Sequence, residues 1–425
     1  EALYRRRALG IKPGLDRELI LMEKLGNPHR NYPVIHVAGT NGKGSVCAML
    51  EAVLTEAGFR VGLFTSPHLI TFNERIRIGG RRIADGELAE ALDVVESAVS
   101  SMPPALGEST FFECATALGF YYFSIQSVDI AVIETGMGGR LDATNVVAPT
   151  LSAVTNIGME HSEYLGDTIE AVAREKAGII KHGAPVVTGR MDIRAENVIQ
   201  ARAGEQNVLH LKAEEQVRLS ALSRDIFGQK VRVETESASY GTFTLPLSGR
   251  HQAENLAVVI TLVDLLRDYR SLDVEPVRVR DGIGRVQWAG RFQVLRTDPL
   301  FIVDGAHNPE GIRSLCLTIE DLPDKRPVGM ILGMCRDKDA VGSLKALKNT
   351  VSRLWCVPVP SERSLSSEEL KETAVRCGIG LATASALRSA MHEAGEWARK
   401  SSGMVCVAGS LFLAGEALEE EGVKV

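Results

Sequence analysis

One glycine-rich segment governs how this sequence can be read. Residues 34–38 form an apolar run that ends in Gly39-Thr40-Asn41-Gly42-Lys43-Gly44-Ser45, and a helical pattern follows over 45–57. A strand that turns through glycines into a helix aims backbone N–H groups at one spot, where the helix dipole favours an anion. Lys43 can reach the β- and γ-phosphates of a nucleotide there, and Ser45 can hold Mg²⁺. The spacing differs from the usual phosphate loop: only Thr40 and Asn41 separate the first two glycines, and Gly44 stands between Lys43 and Ser45. A tight turn with a solvated lysine is the bland alternative. The strand–loop–helix context favours ATP, with Asn41, Gly42, Lys43, Gly44 and Ser45 around its phosphates.

Such a loop belongs in an α/β sheet, and the rest of the chain agrees. Apolar runs at 34–38, 60–64, 128–133, 151–155 and 185–188 alternate with helical patterns, for example 45–57, 86–99 and 167–180. That alternation predicts βαβ units and a mostly parallel sheet. Residues 207–247 are short, polar and β-branched, which predicts a small antiparallel region. A helix is expected over 251–268. The alternation restarts near Gly290, with strands expected at 300–303, 328–332, 354–357 and 404–407. A P-loop-type domain over 1–287 and a smaller Rossmann-like α/β domain over 288–425 are therefore expected.

Composition removes several classes. Lys plus Arg is 48 and Asp plus Glu is 54, a net charge of −6, which argues against a general nucleic-acid binder. The most apolar stretch, 117–133, is broken by Ser124, Gln126, Ser127 and Asp129, so no membrane span is expected. Seven cysteines with no C-x-x-C pair read as reduced thiols of a cytoplasmic protein, not as a disulfide framework or zinc site.

In open parallel sheets, ligands sit at the carboxyl edge of the strands. Ser66, Glu134 and His161 each follow an expected strand, so they should meet Lys43 and Ser45 there. Oxygen and imidazole donors beside phosphate suit Mg²⁺ or Mn²⁺. Lys176 falls on the apolar stripe Ile169, Val172, Ala173, Ile179 and Ile180 of a helix that Asp167 and Glu170 would start. It either snorkels to water or sits desolvated, where a neutral amine could take up CO₂ as a carbamate.

At these residues the sequence resembles the folylpolyglutamate synthase/dihydrofolate synthase family of the Mur ligase superfamily. The matching segments are His36-Val-Ala-Gly-Thr-Asn-Gly-Lys-Gly-Ser45, Thr65-Ser-Pro-His-Leu69, Asn73-Glu-Arg75 and Glu134-Thr-Gly-Met-Gly-Gly-Arg-Leu-Asp-Ala-Thr-Asn145. Glu160-His161, Arg174-Glu-Lys-Ala-Gly178, His251-Gln-Ala-Glu-Asn255, Gly290-Arg-Phe292 and Asp304-Gly-Ala-His-Asn-Pro309 continue the match in family order.

The resemblance implies an ATP-dependent amide ligase that joins L-glutamate to dihydropteroate or to a reduced folate. It implies a pair of Mg²⁺ ions on Ser45, Ser66, Glu134, His161 and Lys176, the lysine as a carbamate. It implies nucleotide contacts at Asn255, Arg291 and Asp304, with His307 near the phosphates. The implied pterin side is Gly14, Leu15, Thr110, Phe111, Phe112, Glu113, Leu141, Asp142 and Ala143. Phe111 and Phe112 could equally be helix core, and His307 a loop cap. Lys43, Lys176, Glu134, His161 and His307 are the residues expected to serve catalysis. The expected acid is activated as an acyl phosphate, which the amine of glutamate attacks. Small molecules are the expected partners, with no nucleic acid and no membrane, and a monomer is expected. The 38 residues ahead of Gly39 fit the folate branch better than the cell-wall branch, which carries an extra nucleotide-sugar domain. A nucleotide-dependent switch is the rival from another class.

Overall fold

The structure, a computed structural model, describes residues 2–10, 12–236, 238–270, 272 and 274–423. Its first sheet contains β1 (Val34–Ala38), β2 (Val61–Phe64), β3 (Ile76–Ile78), β4 (Arg81–Arg82), β5 (Ile130–Glu134), β6 (Leu151–Val154), β7 (Val186–Thr188) and β8 (His210–Lys212). The order is β4-β3-β2-β5-β1-β6-β7-β8. β1 is central and pairs in parallel with both β5 and β6, Val37 standing opposite Glu134 and Ala153. Successive side chains of a strand face opposite sides of its sheet. Ile35 and Val37 accordingly join the core under helices Lys43–Glu56 and Arg250–Arg270, while Val34 packs with helix Phe111–Ile125 on the other face. Helices on both faces bury β1, β5 and β6 completely.

Residues 207–247 divide. β9 (Val217–Asp225), β10 (Gly228–Thr235) and β11 (Ser239–Leu245) form the expected antiparallel sheet. His210–Lys212 instead extends the first sheet, parallel to β7. The helix expected over 167–180 is shorter, Ile169–Ala177, and Thr168 caps it in place of Asp167, accepting from the Ala171 N–H. Thr168 wins because its hydroxyl sits at the extended residue directly before the helix. Lys176 stays on the buried face, and Ile179 and Ile180 still reach the core beyond the helix end.

The second sheet has β12 (Gln293–Thr297), β13 (Leu300–Val303), β14 (Val328–Leu332), β15 (Arg353–Cys356), β16 (Ala382–Ala384) and β17 (Met404–Ala408). Its order is β12-β13-β17-β14-β15-β16, parallel except for β12. It carries its own two core layers. The two sheets lie on either side of residues 285–292. Asp321, just after helix Pro309–Glu320, ties the second part to β9 and helix Arg250–Arg270, accepting from Arg224 at 2.7 Å and Arg250 at 2.6 Å. Among the described residues no helix is long and apolar enough to cross a membrane. All seven cysteines are free thiols.

Candidate active site

The glycine loop is pinned from several sides. Gly42 caps helix Lys43–Glu56 at φ 85°, and a Cβ there would lie 2.5 Å from Asn255 Oδ1. Only glycine takes both the left-handed backbone and the close approach. Thr155 Oγ1 donates to the Asn41 carbonyl at 2.6 Å, and the Asn41 N–H donates to Asn156 Oδ1 at 2.8 Å. Lys43 folds back over its own loop, donating from Nζ to the Gly39 carbonyl at 2.8 Å and the Thr40 carbonyl at 3.2 Å.

A cavity of about 340 Å³ opens beside this loop. Asn41 to Ser45, Ser66, Glu134, His161 and Asn255 line it from the first sheet's side. Arg291, Asp304 and His307 line it from the second. Glu134 ends β5, is buried, and accepts from the Ser66 N–H at 3.1 Å. Burial pushes its carboxyl up, with the Lys43 ammonium opposing. His161 sits at φ 46° with Nε2 3.4 Å from Lys338 Nζ, and burial with Lys338 brings its imidazole down to about 4. It is neutral at pH 7, as a metal ligand must be.

Lys176 is not on the cavity wall. Its Nζ donates to the Gly39 carbonyl at 2.8 Å and to Glu160 Oε1 at 2.6 Å, and only 1% of its side chain is exposed. Burial lowers its ammonium and Glu160 opposes that shift. Burial alone would raise the Glu160 carboxyl, but Lys176 and Lys43 outweigh it and hold it at about 2. Glu160 itself lines the cavity.

These donors fit Mg²⁺. Glu134 is a buried carboxylate with no cation in hydrogen-bond reach among the described residues, and two hydroxyls and a neutral imidazole line the same cavity. Among the described residues no three His, Cys, Asp or Glu side chains form a closed cage. Mg²⁺ suits that incomplete set because it keeps waters and shares substrate phosphates.

From the second sheet, Asp304 follows β13 and accepts from the Phe292 and Ala306 N–H groups, both at 2.8 Å. Burial raises its carboxyl and Arg291 opposes. Its contacts fix the junction that presents Arg291. His307 has Nδ1 2.8 Å from the Gly305 carbonyl and is brought to about 4, chiefly by burial. Asn308 caps helix Pro309–Glu320 and donates from Nδ2 to Asn41 Oδ1 at 3.0 Å, joining the second sheet's side to the loop.

Residues 37–263 match the Mur ligase middle domain, and residues 290–411 match the Mur ligase glutamate ligase domain. The chain is 36% identical to the dihydrofolate synthase/folylpolyglutamate synthase of Bacillus subtilis over 348 residues, 81% of each protein. The chain belongs to the folylpolyglutamate synthase/dihydrofolate synthase family. It is an ATP-dependent carbon–nitrogen ligase of the Mur type. Two solved structures share its fold. Mycobacterium tuberculosis folylpolyglutamate synthase complexed with ADP has a TM-score of 0.92 and 31% identity, covering 100% of this chain and 99% of that one. Escherichia coli FolC in complex with DHPP and ADP has a TM-score of 0.84 and 30% identity, covering 96% and 93%.

The residues expected on a pterin side do not themselves line this cavity. Gly14 and Leu15 precede helix Asp16–Lys24, whose Arg17 donates to Glu113 Oε1 at 2.9 Å. Thr110 and Glu113 form a capping box at the start of helix Phe111–Ile125. Phe111 packs against Tyr4 and Phe72, and Phe112 against Phe64. Asp142 accepts from the Met137 and Thr144 N–H groups and the Thr144 hydroxyl, with Leu141 and Ala143 beside it. Each polar member already has a structural partner.

Sequence reasoning missed Glu160, Lys338, Asn156 and Asn308 as site residues. Asn156 was within reach, because it follows the expected strand over 151–155 on the ligand edge. Lys338, in an unpatterned loop, carries no sequence signal.

Proposed function

We propose that this ligase adds L-glutamate to dihydropteroate and to the γ-carboxylate of reduced folates, using ATP to activate the acceptor as an acyl phosphate. One observation carries the reading: the phosphate loop and the buried Glu134 face Arg291 and His307 of the second sheet's side across a single cavity. A carboxylate is a poor acyl donor, and phosphorylation gives it a leaving group. Lys43 and Arg291 offset charge on the transferring phosphoryl group, the main task of protein groups in such transfers. The cleft aligns ATP, carboxylate and amine.

In this reading Ser45, Ser66, Glu134 and His161 hold a pair of Mg²⁺ ions, with Lys176 joining them as a carbamate. The ions supply further charge neutralisation when bound. Burial favours the neutral amine that such a carbamate needs. ATP contacts run through Asn41 to Ser45, Asn255, Arg291 and Asp304, and the pterin lies toward Thr110 to Glu113, Leu141 to Ala143 and Gly14-Leu15. The enzyme acts as a cytoplasmic monomer, consistent with a cleft built by one chain and free thiols throughout.

Phosphate release tests the reading. Release from ATP is expected only when L-glutamate is supplied with dihydropteroate or tetrahydrofolate. Acceptor-independent release, or none, ends it. Running the two acceptors side by side tells one activity from two. A crystal with Mg²⁺ and ATP tests the carbamate: extra density on Lys176 Nζ is expected, and a bare amine at full occupancy refutes it.

A further inference from the structure

A second and larger cavity, about 1070 Å³, adjoins the nucleotide site. Ser66, Glu134 and Arg291 line both, so the two share a wall where the acceptor carboxylate would react. Its volume is at the upper end of the ~300–1,000 Å³ typical of ligand pockets. Its far wall is the hairpin β3–β4, turned through Gly79 and Gly80 at φ 56° and 80°.

The hairpin carries an unusual charge arrangement. Arg77 stands directly opposite Arg82, and Arg81 lies beside them. Like charges opposite each other on paired strands destabilise a hairpin. Glu51 compensates Arg77 at 3.0 Å. Arg81 and Arg82 are exposed, and among the described residues neither guanidinium has an ion pair or hydrogen bond. The acids on the same wall are occupied: Glu74 accepts from the Leu69, Ile70 and Thr71 N–H groups, and Asp85 from Asn73 Nδ2. The wall thus presents to a cavity that opens at the reacting position two guanidinium groups that, among the described residues, no carboxylate engages.

The chemistry of glutamate addition supplies an anion of matching form. Each added γ-linked glutamate leaves one free α-carboxylate behind the new reactive end. That end must return to the same phosphate each cycle, so the carboxylates already made are displaced outward. We infer that the cavity bounded by the β3–β4 hairpin holds the γ-linked oligoglutamate tail of an elongated acceptor, its α-carboxylates on Arg81 and Arg82. Phe227, 63% exposed, also lines this cavity. This rests on the ligase reading above.

The test separates the two ideas. γ-Linked pentaglutamate peptide is titrated into the full chain at low salt, followed by the fluorescence of Trp288, which lines this cavity. Wild type is expected to bind it and Arg81→Gln/Arg82→Gln to bind about tenfold more weakly (about 1.4 kcal/mol). Equal affinity, or no binding by wild type, overturns the inference. In turnover, the double variant is expected to raise KM about tenfold for a pentaglutamyl tetrahydrofolate, against less than about twofold for dihydropteroate, whose one carboxylate is the reacting group. A rise of the same size for both acceptors also overturns it. If wild type turns over no acceptor, the ligase reading fails while the peptide titration still reads the cavity.

Discussion

Replacing Lys176 by methionine reads the charge that this lysine carries. Its Nζ lies 2.6 Å from Glu160 Oε1, with 1% of the lysine and 8% of the glutamate side chain exposed. Methionine fills much of the same space but leaves Glu160 as a buried anion and the Gly39 carbonyl without its donor. Removing one partner of a buried pair costs about 3–5 kcal/mol, because the other charge stays uncompensated. At about 3 kcal/mol per molar urea, the transition that reports this domain moves down by about 1–2 M. The loss should shrink on acidification. In wild type Glu160 titrates at about 2, below its unfolded value, so its stabilisation is present above pH ~4.5 and is lost as pH falls toward 2. Without Lys176 burial dominates and its folded pKa rises, so protonation on the way to pH 5 relieves the variant alone. Lys176→Met/Glu160→Leu should recover most of the stability. The assay is urea unfolding by circular dichroism at pH 7 and pH 5, in metal-free and CO₂-free buffer. A carbamate beside Glu160 would be a second anion, so its removal would be neutral or stabilising. A Lys176→Met variant as stable as wild type therefore refutes the ammonium pair, and a double variant no better than the single one refutes the coupling.

Three further outcomes are expected. Glu134→Ala should cut turnover by ~100-fold or more with an unchanged circular dichroism spectrum, because its carboxylate faces the phosphates and the Ser66 amide can turn to water; near-normal turnover would remove it from the site. Gly42→Ala meets Asn255 and takes a left-handed backbone, which costs ~1–2 kcal/mol before any clash, so calorimetry should find ADP binding at least about tenfold weaker. His36 is buried against Thr144 Oγ1 and is held at about 3 by burial and Lys181. Its unfolded form gains a proton below pH ~6.5, so stability falls by up to about 1.4 kcal/mol per pH unit as pH drops from there toward 3; His36→Gln should flatten that slope in urea unfolding between pH 4 and 7.

The parts of the fold legible in the sequence are those set by period and punctuation. β1, β13 and β14 occupy the expected residues, because each is an apolar run closed by glycine, aspartate or a polar turn. Edge strands were not legible. β4, β12 and β16 each close an edge of a sheet and are exposed or half-exposed, so no buried apolar run marks them. His210–Lys212 shows the same limit, since its polar residues give no sign that β7 is free to accept another strand. The expected Asp167 cap failed by one residue, well inside what capping patterns resolve. In the site, strand-end logic located Ser66, Glu134 and His161, because the carboxyl edge of a parallel sheet is a place, not a contact. It could not locate Lys338 or Asn308, which reach that edge from the other sheet's side.

The buried charges of the site have one common feature. Burial disfavours the charged forms of Glu134, Asp304 and Lys176 alike. Each is offset in part by a group from a different segment: Lys43 for Glu134, Arg291 for Asp304, Glu160 for Lys176. Lys176 and Glu160 already pair at 2.6 Å, whereas Glu134 and Asp304 line the cavity and stay incompletely neutralised until something charged enters it. A nucleotide triphosphate with its cations would enter at that point, bringing both signs of charge. The cost of holding these residues dry is therefore met at binding, and the same dryness strengthens every contact with the transferring phosphoryl group. This explains why the cleft needs the second sheet. Without Arg291 and the Asp304 turn, the carboxyl edge of the first sheet would stand open to water, and its few charges would be screened.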